Sequence, residues 1–294
     1  MKNLKYIFMV LLGGTMYGTM SSFVKIAYSR GYHAAELSFW QAFLAVIILF
    51  LCSLFTRDKN HVCIKAADFI SLMMTGGAIG LTNFLYYESV SYIPASLAII
   101  ILMQFTWLSI LIEWLVFTRR PTRLEMITVT CILIGTVLAG KLFEMNTFTI
   151  SIRGVALALF SSLTYAVYIV ANGRTGKNVR WQTKSMTIMA GSSVCIFSIN
   201  TGQVLSFCYF DNEFMLWALF LAVVGTAIPT ALFAAGISKI GAGISSILMT
   251  VELPVAILCA RIILGEHINA LQCTGIIIML SSICLMNYIK IEKI

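Results

Sequence analysis

Along most of the chain, long apolar runs alternate with short polar breaks. A bilayer core about 30 Å thick needs about 20 apolar residues per helix, because each residue adds about 1.5 Å of rise. By that measure ten segments qualify as spans, at roughly 5–28, 33–55, 67–89, 94–118, 123–141, 151–172, 184–206, 214–237, 241–264 and 268–289. The breaks carry charge or turn signals, such as Arg57-Asp58-Lys59-Asn60, Arg119-Arg120-Pro121 and Asp211-Asn212-Glu213. Links this short join antiparallel neighbours. No stretch reads as a soluble domain, a linker or a low-complexity tail. The pattern predicts an all-α membrane protein of ten transmembrane helices.

Composition agrees with the pattern. Of 294 residues, 60% are hydrophobic and 11% charged, whereas soluble domains carry about 25% charged residues. The net charge of +8 could suggest nucleic acid. The basic residues sit in short loops, however, and form no stripe with interleaved aromatics, so a nucleic-acid partner is not expected. The eight cysteines include no CxxC pair, and six of them lie in apolar runs where a thiol acts as a small hydrophobe. His33, His61 and His267 are scattered. Neither a disulfide framework nor a metal site is expected, and no cofactor motif is present. The start of the chain, Lys2 and Lys5 followed by an apolar stretch, reads as a retained first helix rather than a signal peptide, being long enough to span.

Charge also orients the spans. With the N-terminus inside, 15 Lys and Arg residues fall on the inner side and 5 on the outer, the latter being Lys25, Arg30, Lys141, Arg153 and Arg261. Basic residues concentrate on the cytoplasmic side of inner-membrane proteins, so both termini are expected in the cytoplasm. A shift of 148 residues aligns the two halves without a gap, placing Tyr17 on Tyr165, Ala42 on Ala190, Gly77 on Gly225, Thr82 on Thr230, Ile99 on Ile247 and Gln104 on Glu252. Each half holds five spans, an odd number, so residues 1–146 and 147–294 are expected to be two repeats inserted in opposite orientation, an arrangement common in secondary transporters.

The most specific stretch lies in the second half. It runs Gly225-Thr226-Ala227-Ile228-Pro229, then Gly241 to Val255 with Glu252-Leu253-Pro254 near its end, then Leu264-Gly265-Glu266 and Gln272-Cys273-Thr274-Gly275. This resembles the EamA-type permeases of the drug/metabolite transporter superfamily. The first half departs from that pattern, with Gln104-Phe105-Thr106 at the Glu-Leu-Pro position and Val116-Phe117-Thr118 at the Leu-Gly-Glu turn. Gln41 stands near a place where relatives often carry Arg. The resemblance implies ten helices, cytoplasmic termini, a central cavity lined by spans 1, 3, 4, 6, 8 and 9, and transport of small metabolites, with amino acids and drug-like amphiphiles as frequent substrates.

Several polar residues fall at mid-membrane depth. A charged side chain at a helix centre costs about 2.5–3.5 kcal/mol on insertion scales, so Glu252 should face a cavity or a partner. It reads as a substrate or proton site, with a structural interhelical hydrogen bond as the alternative. Gln104, its mate under the shift, is a ligand-binding amide or interhelical glue. Tyr17 and Tyr165 are placed to stack on a ligand or to pack as buried tyrosines. Asn83, Tyr86, Tyr87, Trp107 and Tyr168 extend the candidate substrate-binding set, and Asn172 lies one turn beyond Tyr168. Pro229 and Pro254 are candidate helix breaks or gates, since each removes a backbone donor. Glu113 and Arg261 read as snorkelling residues at the interface. Lys25 and Glu88 are either an outer gate or a solvated rim, and Glu266 a helix-end residue. The small residues Gly135 and Ala139, four apart, permit close helix packing within the chain or at a homodimer interface.

The function these features favour is a secondary transporter that exports small organic solutes across the inner membrane by alternating access. No GxxxxGK[ST] loop for ATP is present. A membrane-embedded enzyme would need a catalytic pair or metal cluster in the bilayer, yet Asp58, Asp68 and Asp211 all lie in or beside loops and no HExxH occurs. A non-transporting integral subunit would not need its mid-membrane Glu, Gln, Asn and Tyr. The expected partners are a small-molecule substrate and membrane lipid.

Overall fold

The computed structural model describes residues 4–55, 64–93, 95–139, 151–206, 212–265 and 269–292. Glu266 and the expectation attached to it lie outside them. All regular structure among the described residues is helical. The first half holds α1 (Leu4–Ser29), α2 (Ala34–Phe55), α3 (Ala66–Val90), α4 (Ala95–Leu102), α5 (Phe105–Phe117) and α6 (Arg123–Ala139). The second holds α7 (Ile152–Arg174), α8 (Trp181–Ile199), α9 (Thr201–Ser206), α10 (Asn212–Ala222), a π-helical turn at Val223–Ala227, α11 (Ile228–Ile240), α12 (Ala242–Met249), α13 (Glu252–Leu264) and α14 (Ala270–Glu292).

Seven helical stretches are long and apolar enough to cross a membrane: Leu4–Ser29, Ala34–Leu54, Ala66–Val90, Leu97–Phe117, Ile152–Arg174, Asn212–Ile240 and Ala242–Ile263. The other three apolar segments are helical too, but fall short by that measure. α6 is 17 residues long, at the lower limit for a span. α8 begins with the polar run Gln182-Thr183-Lys184. The apolar part of α14 is Ala270–Met286.

Three predicted spans are interrupted by non-helical residues. The segment at 94–118 breaks between α4 and α5 at Met103 and Gln104, and that at 241–264 breaks between α12 and α13 at Thr250 and Val251. At both breaks the hydrogen bonds tighten to three-residue spacing. Gln104 N–H donates to Ile101 at 3.1 Å and Thr106 N–H to Met103 at 3.1 Å, while Leu253 N–H donates to the Thr250 carbonyl at 3.2 Å. The segment at 184–206 breaks at Asn200.

The halves interlock. α1 packs against α11, α12 and α13 of the second half, while α7, its mate under the shift, packs against α3, α4 and α5 of the first. α3 crosses α8, α2 crosses α10, and α6 pairs with α14. A close backbone approach makes the last contact: a Cβ on Gly135 would lie 2.9 Å from the Gly275 carbonyl. The small residues Gly135 and Ala139 therefore serve packing within the chain.

Glu113 does not snorkel. It is 4% exposed, because three groups converge on its carboxylate. Arg119 Nη1 lies 2.6 Å from Oε2, Arg174 Nη2 3.2 Å from Oε1, and the Gly243 N–H donates to Oε2 at 3.2 Å. Arg119 also reaches the buried Glu125, Nη2 to Oε1 3.3 Å. The node ties α5 to the end of α7 and to the start of α12, whose N-terminal amides favour an anion. Arg261, its mate under the shift, is exposed. At the opposite end of the spans, Arg30 and Glu213 form an exposed pair at 3.0 Å, and Glu88 accepts a hydrogen bond from the Tyr92 hydroxyl at 3.3 Å.

Candidate functional site

A cavity of about 50 Å³ lies where α1, α3, α4, α7 and the start of α13 meet. Tyr17, Asn83, Tyr86, Tyr87, Tyr165 and Glu252 all line it. Glu252 is the first residue of α13, so the break in the span carries the carboxyl to the wall of the cavity. It is 4% exposed and accepts a hydrogen bond from the Tyr165 hydroxyl, Oη to Oε1 2.7 Å. α1 reaches this break because residue 18 is glycine: a Cβ there would lie 2.6 Å from the Glu252 carbonyl oxygen. Any side chain at that position would push α1 off the seam.

An aromatic frame surrounds the carboxyl. Tyr165 meets Tyr17 edge-on at 6.4 Å, and Tyr17 packs on Phe233 at 5.4 Å. Tyr86 and Tyr87 stand 6.2 Å apart, and the Tyr87 hydroxyl donates to Gln41 Oε1 at 3.3 Å. The Tyr86 hydroxyl is buried without a hydrogen-bond partner. The Tyr17 hydroxyl makes no hydrogen bond of good geometry, although Thr230 stands beside it.

Three predicted site residues lie elsewhere. Gln104 and Trp107 bond to each other, Trp107 Nε1 donating to Gln104 Oε1 at 2.8 Å, and Trp107 is 38% exposed. The Gln104 amide nitrogen turns back to the Ile100 carbonyl at 3.3 Å. Neither lines the cavity. Tyr168 stacks on Tyr165 at 6.1 Å, but its hydroxyl accepts from Asn172 Nδ2 at 3.2 Å. Asn172 belongs to a second buried cluster, in which Lys184 Nζ donates to the Asn172 carbonyl and to Ser238 Oγ, both at 2.6 Å.

The prolines sit beside the irregularities without coinciding with them. Pro229 lies in the first turn of α11, just past the π-helical turn, where a missing N–H is tolerated. Pro254 is the third residue of α13, and the Thr250 carbonyl that it cannot bond takes the Leu253 N–H instead.

Residue-type reasoning missed Met20, Ser21, Thr82, Ile99 and Leu102 on the cavity wall. Thr82 and Ile99 had one signal, since both match their counterparts under the 148-residue shift. It also missed Phe105. The first-half break presents that ring, fully buried, to Tyr165 at 4.6 Å.

The EamA-like transporter family matches the chain twice, over residues 4–140 and 152–288. The chain belongs to that family. The two matches begin at residues 4 and 152 and end at 140 and 288, in each case 148 apart. The chain is similar to the uncharacterized transporter YcbK of Bacillus subtilis, 22% identical over 272 residues, covering 90% of this chain and 87% of that one. It is similar also to the threonine/homoserine exporter RhtA of Salmonella typhimurium, 25% identical over 209 residues, covering 69% of this chain and 66% of RhtA. A solved crystal structure superimposes with a TM-score of 0.74 at 13% identity, covering 98% of this chain and 96% of the other. That likeness is one of fold. The chain is a multi-pass membrane transporter.

Proposed function

We propose that this EamA transporter is a secondary exporter of small organic metabolites, amino acids and amphiphilic drug-like solutes among them, working by alternating access across the inner membrane. Ten spans carry it, as two five-helix repeats at 1–146 and 147–294 in opposite orientation with both termini cytoplasmic. The observation that supports the reading best is a small cavity at the seam of the two interlocked halves, holding one buried carboxyl at a helix break. A cavity of about 50 Å³ has room for only a few waters, so a solute enters by movement of one half against the other. The Glu113 node closes the cytoplasmic side between them, and its ion pairs separate as that side opens. RhtA exports threonine and homoserine by name, which supports export as the direction.

The test is accumulation in vesicles reconstituted with the purified protein, under an imposed pH gradient, from a panel that includes threonine and homoserine. Accumulation or counterflow of at least one solute above protein-free vesicles is expected; none across the panel overturns the reading. A cysteine placed at Lys177, in the link between α7 and α8, is expected to react only with reagents on the cytoplasmic side. Labelling from outside whole cells sinks the orientation.

A further inference from the structure

The charge on the cavity wall is one-sided, beside the neutral polar side chains of Ser21, Thr82 and Asn83. The wall holds one carboxyl, Glu252, and four tyrosine rings, those of Tyr17, Tyr86, Tyr87 and Tyr165. Among the described residues, no Lys, Arg or His lines it. The buried Lys184 is bound to the Asn172 carbonyl and to Ser238, while Arg119 and Arg174 are bound to Glu113. A solute carboxylate entering this space loses its water and meets another carboxyl with no cation to answer it, which is strongly unfavourable in a low dielectric. An ammonium group meets the opposite conditions. A carboxylate accepts its protons, and the ring faces of tyrosines attract its charge. The Tyr86 hydroxyl, buried without a partner, adds an acceptor for an N–H, and a buried polar group left bare calls for a ligand or a water.

Resting on the transporter reading above, we infer that the site selects small organic cations, namely solutes with an amine or quaternary ammonium group and no carboxylate. Within the wider range of metabolites and amphiphiles, zwitterionic amino acids are the disfavoured members. Glu252 supplies the charge, the tyrosines supply the cage, and Tyr86 distinguishes amines that can donate a proton from those that cannot.

The test uses matched pairs that differ by a carboxylate: tyramine against tyrosine, 1-amino-2-propanol against threonine, and 3-amino-1-propanol against homoserine. Each is offered to the full chain in vesicles, with counterflow and thermal stabilisation as the two readouts. Each amine is expected to act at concentrations at least tenfold lower than its amino acid. Glu252→Gln is expected to remove that preference, to the same degree for all three pairs. Tyr86→Phe keeps the ring and disturbs no hydrogen bond of the protein, so it should fold as well as the parent. It is expected to weaken the primary amines severalfold and leave choline unchanged. An amino acid acting as well as its amine overturns the inference and leaves the transporter standing. So does movement of sugars or carboxylates without any amine. If Glu252→Gln does not fold, the matched pairs on the parent and on Tyr86→Phe still decide. Absence of movement for every solute tried removes the transporter reading as well.

Discussion

The two helix breaks fall within one residue of each other under the 148-residue shift and do different things. At both, the span tightens to three-residue hydrogen bonds for one turn and then resumes. In the second half the first residue after the break is Glu252, buried, lining the cavity and bonded to Tyr165 from another helix. In the first half its mate Gln104 stands at the N-cap position of α5, and its side chain bonds only to the helices on either side of the break, to Ile100 of α4 and Trp107 of α5. What the first break gives the site is Phe105, a ring against Tyr165. The repeat has kept the backbone device and let the chemistry diverge. A single acid therefore serves the cavity, with an aromatic support from the other half.

Exchanging the two residues tests this most severely. Glu252→Gln keeps shape and hydrogen bonding while removing the acid, so the protein is expected to fold and insert, and transport driven by a pH gradient is expected to fall by about an order of magnitude or more, about 1.4 kcal/mol or above. Gln104→Glu places an acid outside the cavity and is expected to change transport by less than about twofold. Transport rates in reconstituted vesicles at matched protein levels decide. If the double exchange restored activity, the halves would be equivalent and the asymmetry described above would be wrong.

The ends of the spans make a second contrast, of stability rather than of transport. The Glu113 node is buried, while the Arg30–Glu213 pair is 57% and 47% exposed. Removing one partner of a fully buried pair costs about 3–5 kcal/mol. The arginines of the node are 37% and 33% exposed, so water can answer them in part, and Glu113→Gln is expected to cost about 1–3 kcal/mol. Glu213→Gln is expected to cost under about 1 kcal/mol, as exposed pairs do. Thermal unfolding in detergent separates the two. Equal shifts would mean that the node contributes no more than a surface pair.

Much of this was legible in the residues, and the part that was not has a common cause. Apolar windows located every helical segment among the described residues, and the cost of a carboxyl at mid-span singled out Glu252. A window averages over about 19 residues, so it cannot resolve a break of two residues inside an apolar run, and it read the spans at 94–118 and 241–264 as unbroken helices. Glu113 was misread for a related reason. Seen alone near a span end, it looks like a snorkelling acid; Arg119 is only six positions away, but Arg174 and the Gly243 N–H, 61 and 130 positions away, meet it only after α5 packs on α7 and α12. Gln104 was assigned to the site as the mate of Glu252 at similar depth, and Trp107 as part of the polar-aromatic set on the third and fourth spans. Depth says nothing of azimuth, and the two side chains, three residues apart, bond to each other outside the cavity lining. The prolines drew attention as breakers, but proline marks where a helix tolerates a missing donor as often as where it ends.

That last point yields the smallest expected effect. Pro254 lies two residues after Glu252, and its mate under the shift is Thr106. The first-half break forms without proline: Thr106 sends both its N–H, at 3.1 Å, and its hydroxyl, at 2.9 Å, to the Met103 carbonyl. The break is therefore a property of the repeat's packing rather than of the imino ring. Pro254→Thr places the first-half residue at that one position of the second half. Its new N–H and hydroxyl have the Val251 carbonyl within the same reach that Thr106 has to Met103. The loss of a ring that restrains the unfolded chain costs about 0.4–1 kcal/mol, and the break is retained. Transport by Pro254→Thr is expected to stay within about twofold of the parent, with a melting temperature lowered by a few degrees at most. A collapse of transport with normal folding would show that the second break, unlike the first, is held open by its proline. In that case the two halves differ in backbone mechanics as well as in the side chain each break presents.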